Sequence, residues 1–309
     1  MKAFLLAVAL FLLAACGEQG GEPTYAGGPA TAGQSRALAP EAVAGTAAPA
    51  EPNPESDAEP NPEFGTNASP PEHGAHAASA MYRPDAAFIP PSSPVPIFMY
   101  HTSSEYEPGP LSALYVRPSE FELQLAHLAE NGYTFVTFDD WDNLHAIERP
   151  VFITFDDGYR ANYTEIFPII ERHGAVITIF LTLGQVRPDE LDEDMVRRMS
   201  DSGLVKFESH TMTHADLASI SGDADRLRFE LESSRAEIEA LTGREVMALA
   251  YPFGSFNDAV AEAAAEFYRF GLSIAPGLHC PREHDDFAMR RLTVHRSTSL
   301  RAFIAMLGD

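Results

Sequence analysis

An α/β domain built on a parallel sheet is what this chain predicts from residue 95 onward, and three observations point there. Segments of β-like composition alternate with segments of helical periodicity from residue 95 to residue 309. The run Val176-Ile177-Thr178-Ile179-Phe180-Leu181 is nearly continuous in apolar residues, as strands covered on both faces are. Residues 17–94 share neither feature: Ala, Pro, Gly and Glu dominate, and bulky apolar residues are sparse. Alternation of this length implies parallel strands joined by right-handed crossovers. It does not separate an open sheet from a closed barrel.

The elements follow in order. Residues 95–100 form a β-like run. Ser119 and Glu122 are spaced as a capping box for the next helix. Phe121, Leu125 and Leu128 share one face of that helix, and Gly132 stops it. Residues 134–138 and 151–155 are strands by their β-branched and aromatic content. A helix over 160–173 ends at Gly174, the strand 176–181 follows, and a short helix covers 194–200. Strand 205–208 leads into a longer helix, 225–241, with Leu227, Leu231, Ile238 and Leu241 inward and Gly243 as its stop. Strand 246–250, helix 258–266, strand 270–274 and helix 299–307 complete the alternation.

Two motifs carry chemistry. Thr154-Phe155-Asp156-Asp157-Gly158-Tyr159 places paired carboxylates at the C-terminal end of a buried strand, where sites on parallel sheets and barrels are built. His210-Thr211-Met212-Thr213-His214 offers two imidazoles spaced for one metal. One carboxylate with two imidazoles leaves coordination positions open for water and substrate. The adjacent carboxylate is then free to act as a base. Each motif alone has a plainer reading. Adjacent Asp residues at a strand end are a solvated turn or a helix cap, and two His four apart arise by coincidence on helices and loops. Together they carry more, because the Asp pair needs a partner and the His pair needs an acidic ligand.

The ordered set of motifs resembles the polysaccharide deacetylases, carbohydrate esterase family 4, also called the NodB homology domain. Pro96-Ile97-Phe98-Met99-Tyr100-His101 is similar to the opening strand of the subgroup that deacetylates poly-N-acetylglucosamine. Phe121-Glu122-Leu123-Gln124-Leu125 through Gly132-Tyr133-Thr134 is similar to its first helix and following strand, and Ala250-Tyr251-Pro252-Phe253-Gly254 to its third motif. The resemblance covers residues 95–309, a normal size for one domain. It implies a distorted, incomplete (β/α)7 barrel, here preceded by a disordered tether.

The resemblance also implies roles. Asp156 would be the general base, and Asp157, His210 and His214 the ligands of one divalent metal ion. Zinc is the first expectation, and His/Asp ligation also admits iron, nickel or cobalt. The backbone N–H of Phe253 would help bind the oxyanion, and Tyr159 and Tyr251 would contact substrate. The family's third motif commonly begins with an Arg that braces the catalytic Asp. Ala250 stands there instead, as in the poly-N-acetylglucosamine subgroup; Arg290 or Arg291 could supply the brace, the plainer reading of two adjacent Arg residues being surface charge. The general acid is His101, from the first strand as in that subgroup, or His295, near the C-terminus as in most of the family; the subgroup likeness favours His101. The implied reaction is removal of N-acetyl groups from a β-linked N-acetylglucosamine polysaccharide. Poly-N-acetylglucosamine comes ahead of peptidoglycan and chitin-type oligomers. The rivals are a de-O-acetylase of another acetylated polysaccharide and an inactive carbohydrate-binding envelope lipoprotein. Intact Asp156, Asp157, His210 and His214 argue against the last.

The N-terminus resembles a bacterial lipoprotein signal. Lys2 supplies the positive charge, residues 3–13 an apolar core too short to span a bilayer, and Leu13-Ala14-Ala15-Cys16 the lipobox. Residues 1–16 are therefore expected to end in a lipidated Cys16 that anchors the chain to a membrane of the cell envelope. Gly17 hints at the outer membrane. Residues 17–94 contain the repeat Glu51-Pro52-Asn53-Pro54-Glu55 and Glu59-Pro60-Asn61-Pro62-Glu63. Such a segment buries too little apolar surface to offset its ordering entropy and is expected to be a flexible tether; His73 and His76 fall inside it. With Cys16 lipidated, Cys280 is left without a partner in the chain. The formal net charge of −24 argues against a nucleic-acid partner, which wants a basic face. The catalytic domain is expected to be monomeric.

Overall fold

The computed structural model describes residues 93–106, 109, 111–184 and 189–308. The signal, the tether, Cys16, His73 and His76 lie outside the described residues. Among the described residues there are ten strands: β1 (Ile97–Tyr100), β2 (Thr102–Ser103), β3 (Tyr115–Val116), β4 (Thr134–Val136), β5 (Pro150–Phe155), β6 (Ile177–Leu181), β7 (Val205–Ser209), β8 (Ala248–Ala250), β9 (Phe270–Pro276) and β10 (Met289–Thr293). Seven close into a ring of parallel pairs in the order β1, β5, β6, β7, β8, β9, β10 and back to β1. β4 pairs only with the start of β5, through Val136 opposite Phe152, while β6 takes its end, through Thr154 opposite Thr178. The seven-stranded barrel is thus present, with β4 as a spur outside the ring and β2–β3 as a separate ribbon.

Alternation along each strand divides the apolar residues into two layers. Phe98, Tyr100, Ile153, Phe155, Ile177, Ile179, Val205 and Phe207 face outward, under the helices. Ile97, Phe152, Phe180, Ala248, Ala250, Phe270, Leu272 and Met289 face inward. Phe138 and Trp141 close the end of the barrel where β5 and β9 begin, their rings 5.0 Å and 4.8 Å from those of Phe152 and Phe270. No helix among the described residues is long and apolar enough to cross a membrane.

The ring is weakest between β7 and β8, which share one register pair, Ser209 opposite Leu249. There the fully buried Glu208 takes the place of the ladder. Its Oε2 accepts from Met247 N at 2.7 Å and Ala248 N at 2.8 Å. Burial pushes its carboxyl up to about 8, against the pull of Lys206 and the two N–H donors. Lys206, two residues earlier on the same face, pairs with Asp139 at 2.6 Å.

Several local expectations are corrected. The capping box at Ser119 and Glu122 does not form. The helix Pro118–Glu130 starts two residues sooner, with Arg117 in the cap position, because Pro118 is preset for the first helical position. Ser119 bonds Glu105, and Glu122 pairs with Arg172 and His173. Strand 134–138 stops at Val136, and Thr137 with Asp140 caps a 3-10 segment, Phe138–Ala146. The helices at 160–173 and 225–241 each contain a π-helical turn, at Asn162–Ile166 and Phe229–Ser233. β10 is an additional strand, hidden in sequence by the charged pair Arg290-Arg291.

If Glu208 closes the barrel, Glu208→Ala leaves two backbone N–H groups unmatched in a dry interior. The expected loss is about 2–4 kcal/mol in denaturant-monitored unfolding, with Glu208→Gln milder. A loss below about 0.5 kcal/mol would mean the ladder does not depend on this side chain.

Candidate active site

β5 carries Phe152 and Thr154 inward, and Asp156 continues that face just past the strand end. Its backbone N donates to Tyr100 O at 2.9 Å, fixing it beside β1. Asp156 is 2 % exposed, and Arg291, fully buried on β10, meets it with two parallel bonds of 2.7 Å and 2.8 Å. Arg291 Nε donates to Ser273 O at 3.0 Å, which locks the guanidinium plane. Burial pushes the Asp156 carboxyl up, but the charge and hydrogen bonds of Arg291, together with the nearby His210 and His101, hold the group below the ordinary carboxylate range. Asp156 is therefore an ionised acceptor.

The next residue turns away. Asp157 adopts φ 76° and Gly158 φ 82°, so the second carboxylate leaves the strand direction and meets the His motif. Asp157 Oδ1 lies 3.5 Å from His210 Nε2 and 3.1 Å from His214 Nε2. Burial would raise its pKa, but the two imidazoles depress it well below the carboxylate range. His210 follows β7 directly. Its Nδ1 lies 2.7 Å from Ala250 O; a carbonyl only accepts, so Nδ1 carries the proton and Nε2 presents its lone pair. That is the support a metal-binding imidazole receives. One donor atom from each of Asp157, His210 and His214 falls within 4.8 Å of the others. Two imidazole nitrogens and one carboxylate oxygen, with the tautomer of His210 already set, fit a single divalent cation.

Around this centre the chain supplies two imidazoles and an aromatic rim. His101 follows β1 and is part-buried. Burial lowers its pKa, while the Asp156 and Asp157 charges pull it up. His295 is exposed at the end of the neighbouring β10, where Val294 N bonds Met99 O at 2.9 Å. Both imidazoles thus share one rim. Phe253, in the turn Pro252–Gly254 after β8, adopts φ 61° and sits edge-on to the His214 ring at 4.7 Å. Its side chain is 65 % exposed.

Comparison with known proteins places this geometry. The polysaccharide deacetylase profile matches residues 144–269. A crystal structure of a polysaccharide deacetylase from Bacillus cereus superposes with a TM-score of 0.64 at 30% identity, covering 70% of this chain and 69% of the other. The chain belongs to the polysaccharide deacetylase family, hydrolases of the amide bonds of acetylated sugars. YxkH of Bacillus subtilis, whose name carries the same family, is 28% identical over 220 residues, 69% of this chain and 76% of the relative. The poly-beta-1,6-N-acetyl-D-glucosamine N-deacetylase of Staphylococcus aureus is 24% identical over 214 residues, 63% of this chain and 72% of the relative.

Within this polysaccharide deacetylase, some expected site residues stand elsewhere. Tyr251, expected to contact substrate, is buried in the protein. It alternates with the inward Ala250, so its side chain points outward, fully buried. Its hydroxyl donates to Phe287 O at 3.1 Å and its ring stacks on Phe256 at 4.4 Å. Gly271 makes the room, because a Cβ there would lie 2.1 Å from the Tyr251 hydroxyl. Tyr159 is 4 % exposed, its ring 6.2 Å from that of Tyr115, which leaves little of it for a ligand. Between the two candidate braces the structure selects Arg291; Arg290 is exposed. Strand parity was the available signal, since Arg291 shares its face with the buried Met289. Cys280 is buried and is not a free thiol. Thr213 and Glu230, which bond each other beside His214, were not foreseen; no motif spacing links them.

Arg291→Ala strands a buried carboxylate and should cost about 3–5 kcal/mol in unfolding experiments. Asp156→Ala combined with Arg291→Ala should cost clearly less than the sum of the single changes. Simple additivity would show that the pair is not coupled.

Proposed function

We propose that this chain is a metal-dependent N-deacetylase of a β-linked N-acetylglucosamine polysaccharide, with poly-N-acetylglucosamine the favoured substrate. It would work as a monomeric catalytic domain on a lipid anchor at the cell envelope. The observation that carries the reading is the meeting of Asp157, His210 and His214 beside an ionised Asp156. The name of the Staphylococcus aureus relative supports the choice of polymer, as does the likeness of residues 96–101 and 250–254 to that subgroup.

The reaction adds water to an acetamide carbonyl, breaks the C–N bond, and yields acetate and an amine. A divalent cation bound by Asp157, His210 and His214, zinc first, would acidify a water and polarise the acetyl carbonyl. Asp156, its orientation fixed by Arg291, would take the proton of the attacking water. The turn at Phe253 presents backbone at the rim beside His214, where an N–H can meet the developing oxyanion. The leaving nitrogen needs a proton. His101 is the group for this, since burial makes its imidazolium a stronger acid.

Two comparisons test the roles. Any of Asp157→Ala, His210→Ala and His214→Ala should lose the cation and turnover but keep the fold, because the core is apolar rather than metal-nucleated. Unchanged zinc stoichiometry in His214→Ala would contradict the ligand set. Asp156→Asn should keep the cation and lose turnover. His101→Ala should lose more activity on an acetamide than on an activated aryl ester, because a phenolate leaves without a proton, and His295→Ala should be mild on both. The opposite pattern would move the acid to His295. Activity confined to O-acetylated glycans would favour the de-O-acetylase.

The anchor rests on Leu13-Ala14-Ala15-Cys16. Cys16→Ser should release the protein from membranes, while a chain starting near residue 90 stays soluble and active. Cys16 and Cys280 are the two cysteines, so lipidation of Cys16 and a bond between them exclude each other. The intact mass of membrane-extracted protein decides between them.

A further inference from the structure

We infer that Glu230 is a positioning residue for the cation site, its buried carboxyl group holding the loop that delivers His214. The inference rests on the cation reading above and adds a residue outside the family motifs.

The two imidazoles reach the centre by different routes. His210 follows β7 without a turn, and its ring is fixed by Ala250 O. His214 arrives only after the chain reverses within a few residues. Thr211 at φ 68° and His214 at φ 56° both occupy the left-handed region, which L side chains adopt only when their surroundings compel it. Something must hold the loop in that shape, and the grip falls on Thr213, the residue before His214. Thr213 N donates to Glu230 Oε2 at 2.8 Å, and Thr213 Oγ1 donates to Glu230 Oε1 at 2.5 Å. Both carboxyl oxygens are spent on one loop residue, and Glu230 is 1 % exposed.

The helix that presents Glu230 is itself deformed there. Phe229–Ser233 is a π-helical turn between two α-helical stretches, Ala224–Arg228 and Ser234–Thr242, and both Glu230 and Leu231 are buried in it. Such turns are local insertions that occur mostly where function requires them. The same helix grips the loop a second time. Ser234 Oγ lies 2.9 Å from Ser209 Oγ, and Ser209 Oγ accepts from Thr211 N at 3.2 Å. From the other side Gly184 N donates to Met212 O at 2.7 Å. Glu230 is thus the element of this clamp that acts directly on the approach to His214, as outer partners of metal ligands do.

The test is zinc affinity of the full-length chain, stripped with chelator and titrated against a competing zinc chelator, with thermal unfolding recorded for each variant. Glu230→Ala should weaken zinc binding by about 10–100-fold. Glu230→Gln, which keeps the shape and can still bond Thr213 through both polar atoms, should restore most of it. Thr213→Val removes only the hydroxyl donor and should fall between the two. Ile238→Ala, a buried change on the same helix, should lower the melting temperature without changing zinc affinity. Native affinity in Glu230→Ala, or an equal loss in Ile238→Ala, overturns the positioning role while the cation site stands. If Glu230→Ala does not fold, native affinity in Thr213→Val overturns it instead. A wild-type chain that binds no zinc, cobalt or nickel sinks the cation reading itself and this inference with it.

Discussion

A carboxylate in a dry barrel must be paired or it will take up a proton, and the bidentate bond from Arg291 meets that demand for Asp156. Both members sit on strands that flank β1, so the pair ties β5 to β10 across the point where the ring closes. With both Asp156 oxygens already fixed by Arg291, the neighbouring Asp157 is left to turn out at φ 76° toward the two imidazoles. Two adjacent carboxylates thereby acquire separate surroundings, one against Arg291 and one against the two imidazoles. The brace that the common third motif supplies from β8 comes here from β10. Ala250 in the vacated position offers its carbonyl to His210 instead.

The barrel's ionisable interior follows one rule. Lys206, Glu208, Asp156 and Arg291 all point inward, and each has a specific partner: Asp139, two backbone N–H groups, and each other. Glu208 stands where β7 and β8 diverge, just before the strand hands over to His210. The gap in the ladder and the cation site are therefore neighbours. Beside that gap, helix 224–242 grips the loop after β7 through Glu230.

Much of this was legible in the sequence. The strand-helix alternation gave the layers, because residues buried on both faces of a strand leave an unbroken apolar run, as at 176–181. The Asp pair and the His pair could be placed on one rim because parallel strands end on the same side. What escaped was set by tertiary context. Tyr251 and Tyr159 lie close to site residues in sequence, yet Tyr251 alternates with the inward Ala250 and Tyr159 follows the turn at Asp157 and Gly158, and both side chains are buried in the protein. β10 was missed because an Arg inside a barrel looks like surface charge until its carboxylate partner is known. The capping box failed because Pro118 starts the helix before Ser119 can cap it. Glu230 lies beyond sequence reasoning, since no motif spacing links it to Thr213, its partner in the fold.

The most direct measurement is anomalous diffraction from crystals of the zinc-loaded domain, collected on both sides of the zinc absorption edge. The account predicts one anomalous peak bonded to Asp157, His210 Nε2 and His214 Nε2, with Asp156 still held by Arg291 and not coordinated. A peak coordinated by Asp156, or none between the two imidazoles, would contradict the division of roles on which the proposed chemistry stands.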